Sequence, residues 1–117
     1  MERNKYIEEI VERLKQLDTY KIILFGSQAY GNAEKNSDID IIVVLNNNDM
    51  PKSFKDKMKY QLLVKDAILD INKEIPIDLI VYTLPMYKKF KKLGSMFSKE
   101  ISQKGKVIYE ANKQRMA

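Results

Sequence analysis

Cysteine, histidine and tryptophan are all absent from this 117-residue chain, and glycine and proline are scarce, with four and three residues. Without cysteine there are no disulfides, thiol nucleophiles or zinc–thiolate centres. Without histidine, Ser-His-Asp hydrolysis, histidine-ligated zinc and two-histidine iron sites are excluded as well. Acid–base chemistry is left to carboxylates, lysines, tyrosines or metal-bound groups. No apolar run approaches the ~20 residues that cross a bilayer. The opening MERNKYIEEIVERL mixes both charges, as a surface helix does and a signal peptide does not. A cytoplasmic protein with no membrane partner is therefore expected.

What is present describes a folded protein. Hydrophobic residues make up 44% and charged residues 32% of the chain, a balance that supports a packed core. Its length suits a single domain over 1–117. The net charge of +5 favours acidic partners such as nucleotides.

Periodicity sets out the elements. Ile7, Ile10, Val11, Leu14 and Leu17 recur at helical spacing over 4–18. The run Tyr20–Phe25 (YKIILF) predicts a buried strand ending at Gly26, and a loop follows over 26–37. A second strand is predicted over 38–45, then a helical pattern over 51–73. That helix has Pro51 in its first turn, Phe54, Met58, Leu62 and Ala67 or Ile68 turned inward, and room for a break. A third strand over 76–83, helices over 85–93 and 95–104 separated near Gly94, and a last strand at 107–109 complete the order. The fold class is α/β (α+β), a small mixed sheet flanked by helices.

Chemistry concentrates in residues 24–44, LFGSQAYGNAEKNSDIDIIVV. Residues two apart in a strand share a face, so Asp38 and Asp40 project together while Ile39 and Ile41 enter the core. Asp78 stands between Ile77 and Leu79 in the third strand, a position that ordinarily disfavours aspartate. Two carboxylates ~6 Å apart repel by roughly 3 kcal/mol at an effective dielectric of about 20. A hard divalent cation relieves that repulsion and leaves the oxygens to coordinate, so an Asp-only site suits Mg²⁺ or Mn²⁺ together with phosphate. Gly26 allows close approach of backbone to a phosphate, and the Ser27 hydroxyl can donate to it.

In this order, Gly26-Ser27, Asp38-Ile39-Asp40 and Asp78, the chain resembles the DNA polymerase β-like nucleotidyltransferase superfamily, and within it the minimal nucleotidyltransferase group. The resemblance implies that fold over nearly the whole chain. It further implies Asp38, Asp40 and Asp78 as catalytic metal ligands, with Asp78 also placed to help deprotonate an acceptor hydroxyl, and Gly26 and Ser27 as a nucleotide clamp. The implied reaction is Mg²⁺-dependent transfer of AMP from ATP to a hydroxyl. Members of the group commonly act as antitoxins, so a tyrosine of a partner HEPN-domain ribonuclease toxin is the implied acceptor. A non-catalytic antitoxin subunit that occludes its partner stands as the alternative, and a nucleotidyltransferase for a small acceptor such as an aminoglycoside as a third reading. The sequence departs from the group in Gly26-Ser27-Gln28-Ala29-Tyr30-Gly31, where Tyr30 holds a position often occupied by arginine.

Other features read as structure. Tyr87, Phe90 and Leu93, spaced by three among four lysines, suit a short helix with one buried face rather than direct nucleic-acid binding. Met58, Met86 and Met96 read as core filling. Self-association as a homo-oligomer is left open.

Overall fold

The computed structural model describes residues 3–26 and 38–111. Helix α1 (Arg3–Lys15) ends with Arg13 and Lys15, cations that complement the negative end of its dipole. Asp18, with φ 54°, turns the chain, and the buried Thr19 hydroxyl donates to the Leu14 carbonyl (2.6 Å), launching β1 (Thr19–Phe25). Strand β2 (Ile39–Leu45) is followed by α2 (Phe54–Ala67), where Ser53 accepts from the Asp56 amide as N-cap. Pro51 therefore lies ahead of the helix rather than in its first turn. At Ile68 the backbone leaves helical geometry and re-enters it as α3 (Leu69–Glu74), which is the break expected within 51–73. Strand β3 (Ile77–Tyr82), α4 (Leu84–Leu93), α5 (Met96–Lys104) and β4 (Lys106–Glu110) follow, with Gly94 (φ 60°) ending α4.

The strands form one sheet in the order β3-β2-β1-β4. β1 is antiparallel to both β2 and β4, whereas β2 and β3 are parallel and are joined by the α2–α3 crossover that parallel neighbours require. The sheet is mixed, as expected, and five helices cover it among the described residues. One face carries Ile22, Leu24, Ile39, Ile41, Val43 and Leu45 against α1, α2 and α3. The other carries Ile23, Ile42 and Val44 against α4 and α5. Five successive residues of β2, Ile41–Leu45, are buried because both faces of this inner strand are covered. No helix among the described residues is long and apolar enough to cross a membrane.

Four expected core placements are corrected. In α2 the inward residues are Tyr60 and Val64, with Ile68 buried just past its end as expected, whereas Phe54 and Leu62 face solvent. Leu93 and Met96, which flank the Gly94 turn between α4 and α5, are also exposed. In α2 the apolar pattern offers two stripes, and periodicity does not specify which one packs.

Arg13 reaches across from α1 to Asp70, making two 2.7 Å hydrogen bonds, and also donates to the Ala67 carbonyl. The Arg13 guanidinium holds the Asp70 carboxyl down to about 2. A lowered carboxyl contributes stability above its ordinary value of 3.8 that is lost as pH falls towards 2. Both groups are largely exposed, so the effect is modest. Asp70→Asn is expected to lower the melting temperature slightly at neutral pH, with the gap to the parent closing near pH 2. A gap that stays constant across that range would show that the pair contributes through packing alone.

Candidate active site

The end of β1 and the starts of β2 and β3 meet at one end of the sheet. Phe25 pairs with Asp40 in the antiparallel register, and Asp40 pairs with Asp78 in the parallel one. Register partners point to the same face, and neighbouring strands lie about 4.8 Å apart, so the Asp40 and Asp78 side chains rise side by side. Fully buried Ile39 and Ile41 anchor the opposite face and prevent Asp40 from turning over. The Ile39 amide donates to the Pro76 carbonyl (3.0 Å), and the Ile77 amide to Asn72 Oδ1 (2.8 Å). These bonds fix the entry of β3 and with it the height of Asp78. Asp38 lies one residue before β2 and is exposed, and Asp78 is also exposed, whereas Asp40 is half-buried.

Burial raises the Asp40 carboxyl above its ordinary value, and the charges of Asp78 and Asp38 raise it further. The charges of Asp78 and Asp38 thus both reach Asp40. Among the described residues, however, no group of three acidic side chains is gathered closely enough to grip a metal ion in this arrangement. Fit to a divalent cation rests on the hard oxygen donors of the Asp40–Asp78 pair and on a position where added positive charge relieves the strain on Asp40.

Gly26 closes the site from the β1 side. Its φ of 69° is left-handed, and a Cβ built there would fall on Asp40 Oδ2. Glycine suits the left-handed turn and leaves that carboxylate in place, whereas any side chain would make it shift. Ser27, the other half of the expected clamp, lies outside the described residues, as do Tyr30 and Lys35.

Two sets of neighbours were missed by sequence reasoning. Phe25, on the same face as Asp40, meets the edge of Phe97 (5.5 Å between ring centroids), and Phe97 in turn meets Phe90 (5.6 Å). Phe90 then packs on Tyr82 (5.2 Å), forming an apolar floor beside the carboxylates. Burial raises the Tyr82 hydroxyl above its usual range. On the other side of β3, a cleft of about 210 Å³ brings Gln61, Lys65 and Asn72 to Asp78. The only sequence signal for either was residue type, since both depend on contacts between elements distant in the chain.

Residues 7–109 match the family model of the nucleotidyltransferase domain. A candidate protein adenylyltransferase of Methanocaldococcus jannaschii is 31% identical over 112 residues, spanning 93% of this chain and the whole of that one. A second from the same organism is 36% identical over 70 residues, 57% of this chain and 44% of its own length. In three dimensions, the crystal structure of a candidate nucleotidyltransferase from Sulfolobus solfataricus superimposes with a TM-score of 0.60 at 22% identity, over 92% of this chain and 79% of that one. A toxin–antitoxin structure with AMP-PNP gives a TM-score of 0.54 at 20% identity, over 93% of this chain and 77% of the other. At these identities the structural likeness establishes the fold.

Proposed function

The chain belongs to the nucleotidyltransferase-domain family, and we propose that it is a Mg²⁺-dependent adenylyltransferase that transfers AMP from ATP to a tyrosine of a partner HEPN-domain ribonuclease toxin, acting as its antitoxin. The observation that carries this reading is the register pairing of Asp40 with Asp78 on one face, against the left-handed turn at Gly26, where any side chain would make Asp40 shift. The name of the full-length M. jannaschii relative supports protein as acceptor, and the structural neighbour with AMP-PNP supports an adenine nucleotide and a toxin partner.

In this reading Asp40 and Asp78, joined by Asp38, would hold the metal, which would supply positive charge against the phosphates. Gly26 and Ser27 hold the β- and γ-phosphates through the turn backbone and the Ser27 hydroxyl. The acceptor oxygen attacks the α-phosphorus in line, the bond from that phosphorus to the α,β-bridging oxygen breaks, and pyrophosphate leaves. The proton lost by the acceptor hydroxyl passes to an oxygen of Asp78, an exposed carboxylate.

The test is incubation with each α-labelled nucleoside triphosphate, Mg²⁺ and the product of the neighbouring reading frame. Label is expected to pass from ATP to a tyrosine of that partner, to stop on addition of EDTA and to return with excess Mg²⁺. Labelling that persists in EDTA would overturn metal dependence. A second reading, occlusion of the partner without catalysis, is favoured by Tyr30 in place of a phosphate-facing arginine. It predicts full neutralisation of the partner by a variant lacking all three carboxylates and no label transfer by the parent.

A further inference from the structure

Helix α2 has two apolar faces, and the fold uses one. Tyr60, Val64 and Ile68 pack inward. On the other side Phe54, Leu62, Leu63 and Leu69 are 78%, 57%, 48% and 41% exposed. Phe54, half-buried Met58 and Leu62 follow one another at i, i+4 spacing, forming a ridge along the helix. A shallow groove of about 750 Å³ runs beside it, lined by Leu62, Leu63 and Leu69 with Lys59, Lys65 and Asp66. Isolated apolar side chains on a surface need no explanation, but a contiguous patch with a charged rim marks a place of association.

Two observations indicate what covers it. The first is charge. From Lys52 to Asp66 the segment carries Lys52, Lys55, Lys57, Lys59 and Lys65 against only Asp56 and Asp66. Such a rim attracts an acidic surface and repels a second copy of a chain whose own net charge is +5. The second is continuity with the site. Near the start of α2, Asp49 accepts from the Thr83 and Tyr60 hydroxyls, just past the C-terminal end of β3. The next residue, Gln61, donates to the Leu79 carbonyl, and Lys65, one turn further on, lines the cleft that contains Asp78. The helix thus runs back along edge strand β3 towards its start at Asp78, on the sheet face opposite the carboxylates, and Lys65 borders both the groove and that cleft.

We propose that an acidic amphipathic helix of the acceptor protein docks along the Phe54–Met58–Leu62 ridge and the groove beside it, with its end at Lys65 leading the acceptor hydroxyl round the edge of β3 to Asp78. The assignment rests on the hydroxyl-acceptor reading above. The probe is a helical peptide of about five turns with leucines at i, i+4 spacing flanked by glutamates, compared with the same peptide carrying lysines in place of the glutamates. The glutamate peptide is expected to shift the amide resonances of Phe54, Leu62, Leu63 and Leu69 and to bind more weakly as salt rises. Leu62→Asp should weaken it by about tenfold or more, as loss of a central anchor does. Titration of ATP and Mg²⁺ into the same variant should be unchanged. Equal binding of the two peptides, shifts mapping elsewhere, absence of binding, or self-association of the parent chain abolished by Leu62→Asp would each overturn the proposal. Failure of the parent to bind ATP would instead overturn the nucleotidyl-transfer reading and leave the docking result standing.

Discussion

Asp40→Asn is expected to abolish nucleotidyl transfer without destabilising the protein. Asp40 is the middle carboxylate of the site, paired across the sheet with Asp78 and flanked by Phe25 and Gly26. Asparagine keeps its shape and replaces the anionic oxygen with an amide nitrogen, which does not coordinate a hard cation. Loss of charge stabilisation worth several kcal/mol corresponds to a fall in transfer rate of about 10³-fold or more. Stability should move the other way. Because the folded-state value of the Asp40 carboxyl is raised, its contribution to stability is greatest below the ordinary carboxylate range. That contribution is lost as pH rises through the raised value. At neutral pH the ionised side chain is a burden that asparagine removes, so the melting temperature should be unchanged or higher. Transfer at the parental rate, measured with α-labelled ATP on a folded variant, would show that Asp40 is not part of the chemistry.

Gly26→Ala and Gly94→Ala form a pair whose comparison separates strain from function. Both glycines are left-handed, with φ of 69° and 60°. Alanine in that conformation costs about 1–2 kcal/mol at either site. At Gly94 an added Cβ meets nothing nearer than a backbone oxygen at 4.0 Å, so the conformational cost is the whole effect. At Gly26 the same atom lands on the Asp40 carboxylate, which must turn away from Asp78 or force the β1 end aside. Gly26→Ala should therefore lose transfer by about 10²-fold or more, the scale on which an ångström of misplacement acts. Gly94→Ala should show a similar loss of stability with transfer retained. Equal activity in the two variants would mean that the Gly26–Asp40 contact has no part in catalysis.

The order of elements was legible because each carries its own local signal. The period of α1, the apolar runs of β1 and β2, the glycine at 94 and the break before Leu69 all depend on neighbours a few residues away. The candidate site was half legible by the same logic. Strand alternation alone predicts a shared face for Asp38 and Asp40, and an aspartate between Ile77 and Leu79 is conspicuous without any structure. Several features could be decided only by tertiary structure. They include the placing of β3 beside β2, which brings Asp78 level with Asp40, and the pressing of Gly26 against Asp40. They include also the aromatic floor from Phe25 to Tyr82 and the choice of Tyr60 and Val64 over Phe54 and Leu62 as the packed face of α2. Each is a contact between segments that local pattern leaves independent. Alternation states which side chains share a face, but only the register between strands and the packing of helices on the sheet state which faces meet.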